Sequence, residues 1–251
     1  MKILVYPVVG FLVASFGNAL GLGGGSILVP ILVFIFNHPI DKAISTNMLC
    51  VFLSSLFGFY WHSKNRNVRI DIASWVALGG IISSLTVSLF LFKYLSLKHK
   101  PLLYKLFGAS LLLVIFRVVF DLTGLWKVSG GERVFGKFVK FLIGLFTGLL
   151  PGLVGKGGGV VLMPTYLYLF KLPFPQAAGT SLSSFLPMAA ISFFLKALQG
   201  YVDFKIGLLI GIGTVMGAKF GAKLVNVLPV KFLKVIFAFF LSIACYKLLF
   251  Y

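Results

Sequence analysis

Acidic side chains are nearly absent from this sequence, which has five Asp and Glu residues against 23 Lys and Arg residues in a chain of 251. All five acids lie in loops or at the ends of apolar segments: Asp41, Asp71, Asp121, Glu132 and Asp203. A carboxylate relay for protons inside a membrane is therefore not expected. The net charge of +18 is spread between apolar segments, which is typical of loops that face anionic lipid rather than of a nucleic-acid-binding domain.

Cysteine and histidine are also rare. Cys50 and Cys245 lie far apart within apolar segments, so no disulfide is predicted. The histidines His38, His62 and His99 are isolated and close to loops, and we predict no function for them. The sequence contains no HExxH, no GxSxG and no cluster with metal-ligand spacing. An enzyme, a metal site and a cofactor are therefore not expected.

Hydrophobic residues are abundant, at 59% of the chain, whereas charged residues make up only 11%, against about 25% in soluble domains. Several uncharged runs approach the roughly 20 residues that a helix needs to cross a bilayer. The sequence therefore predicts an all-α polytopic protein of the cell membrane, with the lipid bilayer as its surroundings. It does not indicate an oligomeric state.

Two glycine clusters interrupt the apolar sequence, in GLGGGSILVP from Gly21 and in GKGGGVVLMP from Gly155. An offset of 134 residues superposes the clusters, and identities continue downstream to Thr46, after which Asn47 faces Ser181. This similarity indicates a tandem duplication. We predict a first transmembrane repeat at 1–120, a polar linker at 121–137 and a second transmembrane repeat at 138–251.

Each repeat contains four apolar segments, which gives about eight membrane segments in all. They lie at about 3–36, 43–61, 72–95 and 102–120, and again at about 138–170, 177–198, 204–228 and 231–251. A straight helix over the first would be about 51 Å long, whereas the hydrocarbon layer is about 30 Å thick. The first segment of each repeat must therefore break, and the glycines predict where. Whether the broken segment crosses or re-enters, giving parallel or inverted repeats, stays open.

The two breaks predict one binding site. Broken backbone is tolerated at membrane depth only where protein or a water-filled cavity surrounds it, and a helix that begins after such a break directs N–H groups at anions. Paired interrupted segments also indicate the substrate site of a transporter. The predicted binding residues are Gly21, Gly23, Gly24, Gly25, Ser26, Thr46, Asn47, Gly155, Lys156, Gly157, Gly158, Gly159, Thr180 and Ser181.

Simpler structural roles compete with this interpretation. Thr46 and Thr180 could cap helices or bond across them, and Lys156 could extend to the membrane interface. The run from Gly213 through Gly217 to Gly221 is predicted to pack helices. A nucleotide-binding P-loop is excluded at Lys156, because the first glycine and the Ser or Thr of that motif are missing.

The doubled motif, with Ala43, Thr46 and Asn47 after the first cluster and Ala177, Thr180 and Ser181 after the second, resembles the sulfite exporter TauE/SafE family of membrane permeases. The resemblance covers nearly the whole chain. It implies a multi-pass plasma-membrane protein whose cargo is a sulfur-containing anion such as sulfite or sulfoacetate, or another organic anion.

Together these observations predict a secondary or potential-driven transporter of small anions. Export is expected, because each negative charge that leaves a cytoplasm at about −100 mV gains roughly 2.3 kcal/mol. Two alternatives remain open: an importer coupled to Na⁺ or H⁺, and a scaffold or receptor without transport activity.

Overall fold

The computed structural model describes residues 2–20, 24–123, 132–155 and 159–224, together with residues 235, 239, 242, 243, 245 and 246. Its helices are α1 (Lys2–Ala19), α2 (Gly25–Phe34), α3 (Ile40–Lys64), α4 (Ile70–Thr86), α5 (Lys93–Lys98), α6 (Lys100–Thr123), α7 (Lys137–Thr147), α8 (Leu149–Val154), α9 (Gly159–Pro164), α10 (Phe174–Leu198) and α11 (Phe204–Leu224). Two π-helical turns, Val87–Phe92 and Thr165–Leu169, continue α4 and α9.

The predicted all-helical membrane class is confirmed, and the described residues contain no strand. Five helical stretches are long and apolar enough to cross a bilayer: Ile40–Lys64, Ile70–Lys98, Lys137–Val154, Phe174–Leu198 and Phe204–Leu224. Helix α6 occupies the predicted fourth segment. Most of the predicted last segment, 231–251, and residues 124–131 of the predicted linker lie outside the described residues, so eight segments and the repeat boundaries stay predictions.

The first apolar segment breaks at the glycine cluster and turns back. Helix α1 ends at Ala19, and α2 begins at Gly25 after Gly24, which has the left-handed φ of 77° that glycine adopts without strain. The rings of Tyr6 and Phe36 are 4.5 Å apart, so the end of α2 lies beside the start of α1. The first segment therefore re-enters.

The second broken segment has the same course. Helix α8 ends at Val154, and Gly155 follows with a left-handed φ of 65°. After α9, the N–H of Arg133 donates to Phe170 O at 3.0 Å, which brings the end of the segment back to its beginning before α7. The returning part is α-helical only over Gly159–Pro164 and then becomes a π-helical turn, where Pro164 lacks an N–H. It is thus less regular than α2.

Glycines allow two pairs of helices to pack backbone against backbone. A Cβ at Gly213 would lie 1.9 Å from Pro7 O, and one at Gly217 would lie 2.3 Å from Phe11 O, so α11 packs along α1 in the same direction, as predicted for this glycine run. A Cβ at Gly79 would lie 2.1 Å from Phe141 O in the contact of α4 with α7. Gly79 and Phe141 are 134 residues from Gly213 and Pro7.

Helices α3 and α10 form the centre of the molecule and run in opposite directions. A Cβ at Gly58 would lie 3.0 Å from Leu182, and one at Gly179 would lie 3.0 Å from His62 Cβ. Farther along, the rings of Phe52 and Phe193 stack 5.8 Å apart. These two helices occupy equivalent positions in the two halves of the sequence, so a twofold axis that relates them must lie across the helices, in the plane of the membrane.

Replacing Gly217 with Leu is expected to destabilise the protein. The side chain would overlap the backbone of α1 at Phe11, and overpacking costs about 1–3 kcal/mol or more. The melting temperature of the purified protein should fall, while anion affinity of the folded fraction stays within about twofold. Gly136→Leu is the matched control, because no atom lies within 4 Å of that position. Normal stability combined with lost affinity would contradict a packing role for Gly217.

Candidate functional site

The two glycine breaks meet at the centre of the bundle. Asn47 on α3 donates a hydrogen bond from Nδ2 to Gly155 O at 2.6 Å. On the other side, a Cβ at Gly25 would lie 2.8 Å from Asn47 Nδ2 and 3.2 Å from Gly155 O. The start of α2, the first half of α3 and the end of α8 therefore share one place, and a side chain at Gly25 would fill it.

Polar atoms without partners line this place. Ser26 and Asn47 are fully buried, and neither Ser26 Oγ nor Asn47 Oδ1 makes a hydrogen bond with a described residue. Helix α2 is ten residues long, and no side chain caps it at Gly24. The first N–H groups of a helix have no partner within it. The arrangement offers donors and the positive end of a helix dipole to an anion.

Thr46 and Thr180 hold the helices that follow in the opposite half. Thr46 Oγ1 accepts a hydrogen bond of 2.9 Å from the N–H of Asp203, directly before α11. Thr180 Oγ1 accepts one of 3.0 Å from the N–H of Arg69, directly before α4. Both bonds join the same pair of positions at an offset of 134. They are the capping contacts named as the simpler alternative, and a substrate role for the two threonines stays a prediction.

The remaining predicted site residues divide into two groups. Ser181 and Gly159 are buried, Ser181 on α10 and Gly159 at the start of α9. The other five lie outside the described residues, so their contribution to the site stays a prediction: Gly21, Gly23, Lys156, Gly157 and Gly158.

Lys196 is a buried cation that the sequence analysis missed, because it follows an apolar run and resembles a loop residue. It has no exposed surface. Its Nζ donates to Pro151 O at 3.1 Å, to Gly152 O at 2.7 Å and to Ser192 Oγ at 2.6 Å. The two carbonyl groups belong to the last turn of α8, where helical carbonyls lack partners. Lys196 therefore ties α10 to the helix that ends at the second break.

Asn18 is a second missed residue. It lies near the end of α1 and is fully buried. Its Nδ2 donates to Ala14 O at 2.9 Å and to Ser54 Oγ at 2.7 Å, so it joins α1 to α3. Its Oδ1 makes no hydrogen bond with a described residue. A single amide in an otherwise apolar run is the sequence signal that could have identified it, because polar side chains inside a membrane are costly.

Ion pairs hold the helix ends on both sides. Asp41, in the first turn of α3, is nearly buried and accepts Lys100 Nζ at 2.9 Å, and this carboxylate raises the pKa of Lys100. Arg69 donates to Asp71 at 3.0 Å and also pairs with Glu132. The hydrogen bond to Asp71 is the main cause that raises the pKa of Arg69. Three of the five acids therefore already have basic partners.

Comparison with known proteins gives one family. The family model described as Sulfite exporter TauE/SafE matches residues 6–248. A probable membrane transporter protein of Methanocaldococcus jannaschii is 29% identical over 253 residues, covering 94% of this chain and 91% of the relative. The probable membrane transporter protein YdhB of Bacillus subtilis is 26% identical, with 90% of this chain and 92% of the relative covered. No solved structure matches the chain significantly. The chain therefore belongs to the sulfite exporter TauE/SafE family of multi-pass membrane proteins.

Proposed function

We propose that this protein transports small anions through the place where the two glycine breaks meet. The observation that carries the proposal is the contact of Asn47 with Gly155 beside Gly25. A polar group from α3 there lies between two interrupted segments, each of which leaves its helix end without backbone partners. Buried Ser26 adds a hydroxyl donor. Interrupted helices that meet at mid-membrane are the usual substrate site of secondary transporters.

Two inverted repeats fit this mechanism. The antiparallel course of α3 and α10, the re-entry of both broken segments and the matched bonds of Thr46 and Thr180 support an axis in the membrane plane. In such transporters one repeat moves against the other about a fixed central site. Thr46, Thr180 and Ser181 contribute to the walls of that site.

The substrate class follows from the donors and from the family. Sulfur-containing anions such as sulfite and sulfoacetate, or other small organic anions, fit a site built from N–H groups, a hydroxyl and an amide. Export needs no ATP, because the membrane potential gives roughly 2.3 kcal/mol for each negative charge that leaves at 100 mV.

Flux of radiolabelled sulfite and sulfoacetate into proteoliposomes tests this function. We expect saturable flux that an imposed membrane potential accelerates in the direction that attracts the anion. Liposomes without protein are the control. Binding of these anions without any flux would instead support a receptor or scaffold.

Lys156, in the second glycine cluster, is proposed to bind the anion together with the adjacent N–H groups. An ammonium group at the centre of a bilayer costs at least about 2.5 kcal/mol, and a bound anion would offset this cost. Lys156→Met should weaken anion binding tenfold or more, about 1.4 kcal/mol, and leave the binding of a neutral analogue unchanged. Lys223→Met, at an exposed lysine of α11, is the control. Equal anion affinity in wild type and Lys156→Met would assign Lys156 to the membrane interface.

A further inference from the structure

His62 is a fully buried histidine that the proposed transport site does not use. It lies in the last turn of α3 and has no exposed surface. Neither ring nitrogen makes a hydrogen bond with a described residue. A buried polar group without a partner destabilises the fold, and imidazole is the side chain whose charge ordinarily changes between about pH 5 and 8. The burial of His62 therefore requires a physical reason beyond packing.

The second half of the chain shows what a residue in this position can do. An offset of 134 places His62 on Lys196 and Gly58 on Ser192. Lys196 ties its helix to the end of α8, directly before the second glycine break, and Ser192 Oγ accepts one of its three hydrogen bonds. The same offset places Asn18, near the end of α1, on Gly152 of α8. His62 and Asn18 are thus the counterparts of a pair that is bonded in the second half.

An unpaired acceptor lies one helical turn from His62. A Cβ at Gly58 would lie only 2.2 Å from Asn18 Oδ1, so the Asn18 amide occupies the space that the Ser192 side chain occupies in the other half. Side chains on a helix tilt toward its N-terminus, which directs the His62 ring back toward Gly58. A protonated imidazole has two N–H donors, and Asn18 Oδ1 is available to accept from one of them.

The charged groups at this end of the bundle do not hold a charged imidazole. They come from α3, the loop after it, α4, α11 and the segment before α7: Lys64, Arg66, Arg69, Asp71, Lys219 and Glu132. Arg69 pairs with both acids, and Lys219 lies 5.0 Å from the Trp61 ring centroid. Within the described residues, α1 and α10 bring no charged side chain to this level. The proton must therefore be stabilised by Asn18.

We propose that His62 is a proton-operated latch on the first broken helix, the counterpart of the permanent latch that Lys196 forms on the second. With a neutral imidazole, His62 does not hold α1. After a proton from water binds the ring, an N–H donates to Asn18 Oδ1 and ties α1 to α3 just before the first glycine cluster. The inference rests on the proposed function, because transport requires movement of the broken segments. Acid should therefore slow anion flux.

Flux of radiolabelled sulfoacetate, at equal pH on both sides of the proteoliposome membrane, tests the effect on transport. We expect wild-type flux to be at least about tenfold slower near pH 5 than near pH 8. His62→Gln should lose this pH dependence, and because it meets the same probe it controls for ionisation of sulfoacetate. His62→Lys should be slow at both pH values, and His99→Gln, at an exposed histidine, should behave as wild type. A pH-dependent His62→Gln or a pH-independent wild type would overturn the latch.

Nuclear magnetic resonance of the His62 ring decides the latch independently of transport. In protein labelled with ¹⁵N-histidine and carrying His38→Gln and His99→Gln, the ring signals should change from neutral imidazole to imidazolium as the pH falls from about 8 to about 5. Asn18→Leu should move this titration to lower pH. Unchanged ring signals, or the same titration in Asn18→Leu, would overturn the latch even if sulfoacetate is transported. Absent wild-type flux of both test anions would overturn the proposed function instead.

Discussion

Gly25→Leu is expected to abolish anion flux while the protein still inserts into the membrane and purifies as a single species. Gly25 does not have a positive φ, so a side chain is compatible with its backbone. A Cβ would lie 2.8 Å from Asn47 Nδ2 and 3.2 Å from Gly155 O, so Leu would fill the place between the breaks. We expect flux to fall at least about a hundredfold, which corresponds to about 2.7 kcal/mol in the barrier.

The controls for this substitution separate space from stability. Gly136→Leu adds the same side chain where no atom lies within 4 Å and should keep wild-type flux. Gly24→Leu and Gly158→Leu, in the two clusters, should lose flux as Gly25→Leu does. Thermal melting of each purified variant shows whether lost flux reflects lost fold. Wild-type flux in Gly25→Leu would refute the assignment of the site to the glycine breaks.

Lys196→Met is expected to lower flux at least about tenfold. The substitution removes all three donors from the end of α8 and from Ser192, so the Pro151 and Gly152 carbonyl groups lose a partner inside the protein. Each such loss costs about 1–3 kcal/mol. The second break should then lose its fixed position, and the melting temperature should fall together with the flux. The measurement is sulfoacetate flux and thermal melting of the same preparation.

Lys205→Met is the matched control, because Lys205 is an exposed lysine on the neighbouring α11. It removes the same charge but no buried hydrogen bond, and we expect flux and melting temperature like those of wild type. Loss of flux in both variants would indicate an effect of net charge. Wild-type flux and stability in Lys196→Met would show that the contact with α8 is dispensable.

The breaks could be predicted from the sequence because glycine acts locally. Consecutive glycines destabilise a helix wherever they occur, so the ends of α1 and α8 follow from composition. The direction of the returning segments could not be predicted in this way. It depends on contacts such as Tyr6 with Phe36 and Arg133 with Phe170, which join residues whose types do not indicate a partner.

The buried cation at position 196 shows a second limit of sequence reasoning. Hydropathy places Lys196 at the end of an apolar run, next to the turn at Gly200, where basic residues usually face the lipid headgroups. In the structure α10 continues to Leu198, so Lys196 lies inside its last turn and faces α8. The offset that aligned the glycines also aligns Lys196 with His62. Two titratable residues at matched positions were the available signal.

The bond between Thr46 and Asp203 also has a consequence for biosynthesis. Its two residues are 157 positions apart, and α1 packs against α11, which is equally late in the chain. At a synthesis rate of about 5–20 residues per second, the early helices wait roughly 8–30 s for their partners. During that time α1 and α3 must remain in the membrane with glycine-rich faces and buried polar groups uncovered. The newly made N-terminal half is therefore the stage at which a membrane chaperone or a quality-control protease would recognise this protein.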